Sequence, residues 1–292
     1  MNSIPKNMNE IYVIKPAAYP YLLKEIDDLP VELYVRGEIP SDDHMFLTVV
    51  GSRKYTDYGK AVCESLIAGL KGFPVVIISG LAYGIDAIAH EAALENGIRT
   101  IAVPGSGISD DMLYPAANKH LAHRILEAGG TILSPFDETV FGNNWTFPFR
   151  NRIMAGMAHA TLVIEADRPS GTLITSSHAS EFNRTVCAVP GSIFSKKSAG
   201  PHMLISKGAT PITCPQDLIE ALGLDTKQRR LPIHDPHLTE EEKKIIQTLS
   251  SPLSRETLIE RLGIPVSKAN ILISMLEIKG IIRESMGEIH LI

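Results

Sequence analysis

The sequence predicts an α/β fold: an extended Rossmann-like parallel sheet with helices on both faces, followed by a small C-terminal winged helix-turn-helix domain. Three observations predict it. Between Phe46 and Val189 short apolar runs alternate with stretches of helical spacing. Those runs often end in Gly, Ser or Pro, the punctuation of strands that turn sharply into helices. A segment without apolar periodicity, residues 222–236, then separates this region from a C-terminal stretch that reads as three helices and a hairpin.

The elements justify themselves in order. Residues 1–45 are a lead-in too short for a separate helical domain, because the first core strand is reached at Phe46. Phe46–Val50, Val75–Ser79, Thr100–Val103, Thr131–Ser134, Thr161–Glu165 and Thr185–Val189 are short, rich in Val and Ile, and read as strands buried on both faces. Tyr58–Leu70, Ile85–Glu95 and Asn118–Glu127 carry helical spacing between them. Such β-α alternation implies a parallel sheet, here residues 46–221, with the strand order left open. The linker at 222–236 holds Gly223, Pro232 and Pro236 with Lys227, Arg229 and Arg230. In the domain at 237–292, Thr239 and Glu242 form a capping-box pattern, and Ser254 precedes a helix over Arg255–Leu262. Gly263-Ile264-Pro265 turns, Ser267 starts a helix over Lys268–Lys279, and Gly280 stops it. Ile281–Arg283 and Glu288–Leu291 flank Met286-Gly287 as a hairpin.

Composition narrows the class of function. With 44% hydrophobic and 21% charged residues in 292, the chain has the makeup of a globular protein with a sizeable core. No apolar run approaches bilayer length, and Met1–Glu10 lacks a signal-peptide pattern. Cys63, Cys187 and Cys214 are too scattered for a metal cluster or a disulfide framework, which points to a reducing, cytoplasmic setting. The net charge of −5 weighs weakly against nucleic acid, since a local cationic face decides binding.

The chemistry-bearing motifs all follow predicted strand ends. Gly51-Ser52-Arg53 combines a tight exit, outward backbone amides and a planar cation suited to phosphate. In Ser79-Gly80-Leu81-Ala82-Tyr83-Gly84-Ile85-Asp86 two glycines bracket a turn; Asp86 sits at a helix start and His90 shares its face, a structural arrangement more than an acid–base pair. Pro104-Gly105-Ser106-Gly107 lacks the third glycine of a dinucleotide fingerprint, since Asp110 stands there, but leaves room for close backbone approach to a phosphate. Phe147-Pro148-Phe149-Arg150-Asn151-Arg152, just before a helical run over Ile153–Met157, interleaves stacking groups with guanidinium groups. Trp145 beside it is open between core and platform. Ser170-Gly171-Thr172 and Pro190-Gly191-Ser192, the latter trailed by Lys196 and Lys197, are further anion-binding turns. They converge on one sheet edge, where open α/β folds bind ligands. No nucleophile with its base and no metal-ligand spacing is readable.

Together these segments resemble the DprA/Smf (DNA processing A) family: Gly51–Arg53, Ser79–Asp86, Tyr114–Asn118, Phe147–Ile153, Ser170–Thr175 and Val189–Ser192, in that order, with Tyr19-Pro20, Asp28, Pro30 and Gly37 upstream. The resemblance implies a cofactor-free, non-enzymatic protein that binds single-stranded DNA, forms a homodimer, and loads a RecA-type recombinase during natural transformation. It places the phosphate-gripping arginine at Arg53, the aromatic and basic loop at Phe147–Arg152, and a further cation at Lys196 or Lys197. The expected DNA-binding set is Gly51, Ser52, Arg53, Gly84, Gly105, Gly107, Phe147, Arg150, Asn151, Arg152, Ser170, Gly171, Thr172, Gly191, Ser192, Lys196 and Lys197. This chain departs from the family pattern at Pro135, where relatives often carry Glu.

Two other classes compete. A nucleotide N-glycosidic hydrolase would use the same glycine turns with Asp86 as its acid, though the Pro-Gly-Gly-x-Gly-Thr run of that group is absent. A transcription regulator would lead with the winged helix, yet residues 237–292 carry seven basic against eight acidic side chains, few cations for a duplex-reading domain. Lys268 and Asn270 are its candidates for touching DNA, with protein contact as the alternative.

Overall fold

The computed structural model describes residues 10–225, 239–249, 253–278, 281–285 and 287–291, and the chain divides into two compact units, Met1–Asp225 and Thr226–Ile292. The linker residues 226–236, with Lys279, Gly280 and Met286, lie outside the described residues.

In the first unit the chain runs β1 (Tyr12–Ile14), α1 (Tyr21–Lys24), β2 (Leu33–Gly37), β3 (Met45–Val50), α2 (Asp57–Gly69), β4 (Val75–Ser79), α3 (Ile85–Glu95), β5 (Arg99–Ala102) and α4 (Lys119–Glu127). It continues β6 (Thr131–Ser134), α5 (Thr146–Met157), β7 (Ala160–Val163), α6 (Gly171–Glu181), β8 (Thr185–Ala188), α7 (Ala199–Ser206), β9 (Thr210–Pro211) and α8 (Pro215–Ala221). These strands form one nine-stranded sheet in the order β1-β2-β6-β5-β4-β3-β7-β8-β9. From β6 to β9 every pairing is parallel, as the alternation requires.

The lead-in is more than an approach. Its β1 and β2 extend the sheet antiparallel beyond β6, with Val35 opposite Leu133. Two short strands of three and five residues leave too brief a pattern to read in advance. They cover what would be the exposed edge of β6.

Strand β3 shows why the centre is stable. Leu47 and Val49 point into one apolar cluster with α2, α3 and α8, while Phe46 and Val50 point into the opposite cluster with α1, α5 and α7. Period-two alternation with both faces apolar is the signature of a strand covered on both sides. Each such fully buried side chain contributes about 1.5–3 kcal/mol relative to exposure.

In the second unit, α9 (Glu240–Thr248), β10 (Leu253–Ser254), α10 (Arg255–Leu262), α11 (Val266–Ile278), β11 (Ile282–Ser285) and β12 (Glu288–Leu291) make a winged helix. Its small sheet runs β10-β12-β11, and its core is aliphatic, with Ile245, Leu258, Ile273 and Ile289 fully buried. The capping box forms as read, Thr239 and Glu242 bonding each other's backbone amides. Gly263 ends α10 in the left-handed region at φ 63°. The third helix begins at Val266, one residue before the predicted Ser267 start, because Ala269 N already bonds Pro265 O at 3.0 Å.

Candidate functional site

Strand order reverses at β3: β4, β5 and β6 lie on one side of it, β7 and β8 on the other. The loops leaving β3 and β7 therefore part above the sheet and open a crevice. A cleft of about 380 Å³ occupies it, walled by Gly51–Lys54 after β3, Asp167 and Pro169–Thr172 after β7, Phe147 and Arg150 from α5, and Lys197.

The β3 turn is held by close backbone contacts. Gly84, at φ 80°, lies where a Cβ would sit 2.3 Å from Ser52 O, and a Cβ at Gly51 would fall 2.6 Å from Ile85. Only glycine satisfies both the conformation and the approach at position 84. Ile85 N donates to Ser52 O at 3.2 Å and locks the two turns together. The Tyr114–Asn118 segment braces the same turn, for Asn118 Nδ2 donates to Leu81 O at 2.8 Å and so supports the left-handed Leu81 at φ 56°.

Across the crevice Thr172 Oγ1 donates to Gly51 O at 3.1 Å, and Ser170 caps α6 by accepting from Thr172 N at 3.2 Å. These hydroxyls build the wall, while Gly171 has open space on its Cβ side. The positive end of α6 thus faces the cleft.

Arg53 is exposed and makes no ion pair among the described residues; its guanidinium lies over the Phe147 ring, 5.1 Å from the centroid. Phe147 in turn rests on Gly105, where a Cβ would collide at 2.4 Å, and tilts against Tyr114 at 6.0 Å. Lys197 Nζ reaches Asp167 at 2.5 Å and Ser52 Oγ at 2.9 Å. Exposed Lys54, which the sequence reading missed, adds a further cation beside Arg53.

Several expected residues stand elsewhere. Phe147–Arg152 is not a loop but the first two turns of α5; Pro148 fits there because first-turn amides need no intrahelical partner. Arg150 is only 4% exposed. Its guanidinium donates to Gly80 O, to Val103 O at 2.5 Å and to Asn151 Oδ1 at 3.0 Å. Asp86 is its buried charge neighbour, and a Cβ at Gly80 would fall on both side chains. Burial pushes the Asp86 carboxyl up, with Arg150 pulling it back, and takes Arg150 down to about 10, still protonated at neutral pH. Arg150 is therefore floor, not a free cation.

Arg152, two residues on, projects from another face of α5. It donates to Asp27 O and stacks on Phe182 at 4.9 Å, away from the cleft. Gly107 packs under the 137–140 loop, its amide bonded to Val140 O at 2.8 Å. Gly191, Ser192 and Lys196 lie in the loop after β8 and do not line the cleft; of the two lysines the structure brings Lys197 there. Glu165 braces the start of α2, accepting from Thr56 N at 3.0 Å and from Thr56 Oγ1 at 2.5 Å. His90 is fully buried, bonded to Thr100 Oγ1 at 2.7 Å, and burial lowers it to about 3. It is structural, as the sequence suggested.

Among the described residues of the first unit, exposed large apolar side chains gather at this edge. Tyr55 and Tyr58 follow β3, Tyr83 follows β4, and Tyr114 follows β5. Phe141 and Trp145 follow β6, Ile174 follows β7, and Ile193 and Phe194 follow β8; Tyr21 and Val31 lie elsewhere. Trp145 is 61% exposed and set edge-on to Phe136, so it is surface and not core.

In the second unit Lys268 and Arg255 are engaged. Lys268 is held by Glu241, Arg255 by Glu284 at 2.5 Å, and Asn270 accepts from Arg255 at 3.0 Å. Ile271 and Met275, four residues apart, are exposed on one face of α11, and Val266 is exposed at its start.

No helix among the described residues is long and apolar enough to cross a membrane. Residues 10–223 match the family described as DNA recombination-mediator protein A, and residues 232–288 match the DprA winged helix domain. The chain is 43% identical to the DNA processing protein DprA of Streptococcus pneumoniae over 69% of its own length and 70% of the relative's. The crystal structure of that protein superposes with a TM-score of 0.67. Protein Smf of Escherichia coli is 42% identical over 70% of this chain, which spans 54% of that protein's length. The DNA processing protein A of Helicobacter pylori, described for its single-stranded DNA binding mode, superposes with a TM-score of 0.65 at 26% identity, over 73% of this chain and 95% of that one. The chain therefore belongs to the DNA recombination-mediator protein A family, the family of DprA and Smf.

Proposed function

We propose that this protein is a recombination mediator that binds single-stranded DNA at the cleft between β3 and β7. The observation that carries the reading is Arg53: an exposed guanidinium with no ion pair among the described residues, propped on Phe147 beside a glycine-lined helix N-terminus. A phosphodiester fits this set, with Arg53, Lys54 and Lys197 supplying charge and the α6 amides supplying donors. Exposed Tyr83 and Tyr114 offer rings on which an unpaired base can stack, which a duplex would keep enclosed. The single-stranded DNA binding of the Helicobacter pylori relative supports the same assignment.

On this reading the protein acts in the cytoplasm, protects the incoming strand and hands it to a RecA-type recombinase, works as a homodimer, and catalyses no reaction. Gly51, Ser52, Gly171 and Thr172 shape the phosphate seat, and Asn151 ties α5 to it through Gly171 O. The test is affinity for single-stranded and double-stranded oligonucleotides of equal length across a salt series. Arg53→Ala weakens single-strand binding without unfolding the chain and lowers the log–log salt slope by about 0.7, the loss of one phosphate contact. Unchanged affinity and slope would remove Arg53 from the site. Release of free base from nucleoside monophosphates by the wild-type chain, lost in Asp86→Asn, would replace the reading with the hydrolase one.

A further inference from the structure

The cleft leaves one conspicuous feature of this edge unused. In the loop after β8, Phe194 is 93% exposed and Ile193 80% exposed, more than any other large apolar side chain of the first unit apart from Val31. An apolar pair in open water is ordinarily found on slack chain, yet this loop is braced along its length. Tyr58 Oη donates to Pro190 O at 2.7 Å, and His202 Nε2 lies 3.0 Å from Gly191 O. Ser192 Oγ accepts from Phe194 N at 3.2 Å, and Ser195 N donates to Ser192 O at 3.0 Å. Beyond the tip, Ala166 N donates to Lys197 O at 2.9 Å and fastens the loop to the chain leaving β7. The phenyl ring is thus presented outward on a fixed mount.

We propose that Phe194 is a second stacking station for the DNA: the strand leaving the cleft past Lys197 runs over the β8 loop, where Phe194 takes an unpaired base and Lys196 meets the adjoining phosphate. The inference rests on the single-strand reading of the cleft and adds a contact beyond it. Three placements carry it. Lys197, which lines the cleft, lies three residues after Phe194, so the tip stands within about 11 Å of chain from the phosphate seat. Exposed Lys196 between them provides positive charge along the way, matching a polyanion and not an apolar partner. The exposed rings Tyr83, Tyr114, Phe141 and Trp145 follow β4, β5 and β6, across the cleft from β8, so Phe194 would extend an aromatic path across the edge from the β6 loop to the β8 loop. Those loops are five strand spacings apart, about 24 Å, the length of about seven nucleotides at B-form spacing.

The test measures affinity of the full chain for an oligothymidylate of about twenty nucleotides, beside the Arg53→Ala variant. Phe194→Ala weakens binding about tenfold, within the range for loss of one stacked base, with an unchanged salt slope because the lost contact is not ionic. Phe194→Trp retains affinity, and Phe194→Leu, apolar but without a ring, behaves like the alanine variant. Lys196→Ala lowers the slope by about 0.7. If Phe194→Ala binds like wild type while Arg53→Ala is impaired, the cleft stands and the second station falls. If neither variant changes binding, the cleft reading itself is lost. If Phe194→Leu retains full affinity, or Phe194→Ala alters only the sedimentation of the protein, the side chain is a protein-contact residue and the proposal is overturned.

Discussion

The two units treat charge in opposite ways. The winged helix keeps an aliphatic core, buries Glu242 where it closes a helix cap, and ties Lys268 and Arg255 to carboxylates at its surface. The Rossmann-like unit buries Asp86, Arg150 and His90 beneath its sheet edge and leaves Arg53 outside with no ion pair among the described residues. Burying charge is costly, and a domain does it where position matters more than stability. The difference supports the site proposed in the first unit, where a polar underlayer holds the loops in place. On α11 of the second unit Lys268 shares the exposed face with Ile271 and Met275, and Glu241 already engages its charge.

That contrast can be broken or sharpened by experiment. The largest effect is expected at Arg150. Arg150→Ala leaves Gly80 O, Val103 O and Asp86 without their buried partner, and destabilises the fold by about 3–5 kcal/mol, measured by urea unfolding. Loss of DNA binding with unchanged stability would instead return Arg150 to the group of free cations.

Next is the pH dependence of stability. His90 titrates near 6.5 when unfolded and is lowered to about 3 by burial, so the unfolded chain binds the extra proton first. Its contribution is intact above about pH 6.5 and is lost as pH falls toward 3, amounting to about 2 kcal/mol at pH 5. Unfolding of wild type and His90→Asn at pH 7 and pH 5 reads this out, the variant showing the shallower dependence. Equal dependence in both would remove His90 from the linkage.

The smallest effects separate the two units by their cations. Arg53→Ala should weaken single-strand affinity about tenfold, whereas Lys268→Ala, whose charge Glu241 already engages, should change it less than about twofold. A larger loss at Lys268 would give the winged helix a DNA role of its own.

Much of this was legible in the sequence because it was local. Strand β4 and helix α3 begin and end where their apolar spacing says, and the Thr239–Glu242 cap forms as read. The glycine turns fell at strand ends, and strand ends are where the topology brings loops together. What stayed hidden depends on distant partners. Arg150 looks like a surface cation until Gly80 and Asp86 from the turn after β4 and Val103 from the end of β5 are folded around it. Arg150 and Arg152 read as one basic pair, but successive residues on a helix diverge, and α5 sends one into the floor and the other to Phe182. Aromatics with a proline suggested a loop, while the first turn of a helix accepts both. Gly105 was read as a seat for phosphate and proves to be the seat of Phe147.

On the proposed reading, Lys197 would meet DNA already partnered, its ammonium shared between Asp167 and Ser52. A phosphate arriving at that point substitutes for a carboxylate and does not simply neutralise a lone charge. Such an exchange releases a strand counterion but leaves Asp167 to recruit a cation of its own, so the two ion movements offset. The number of lysines and arginines around the cleft therefore overstates how steeply affinity falls with salt.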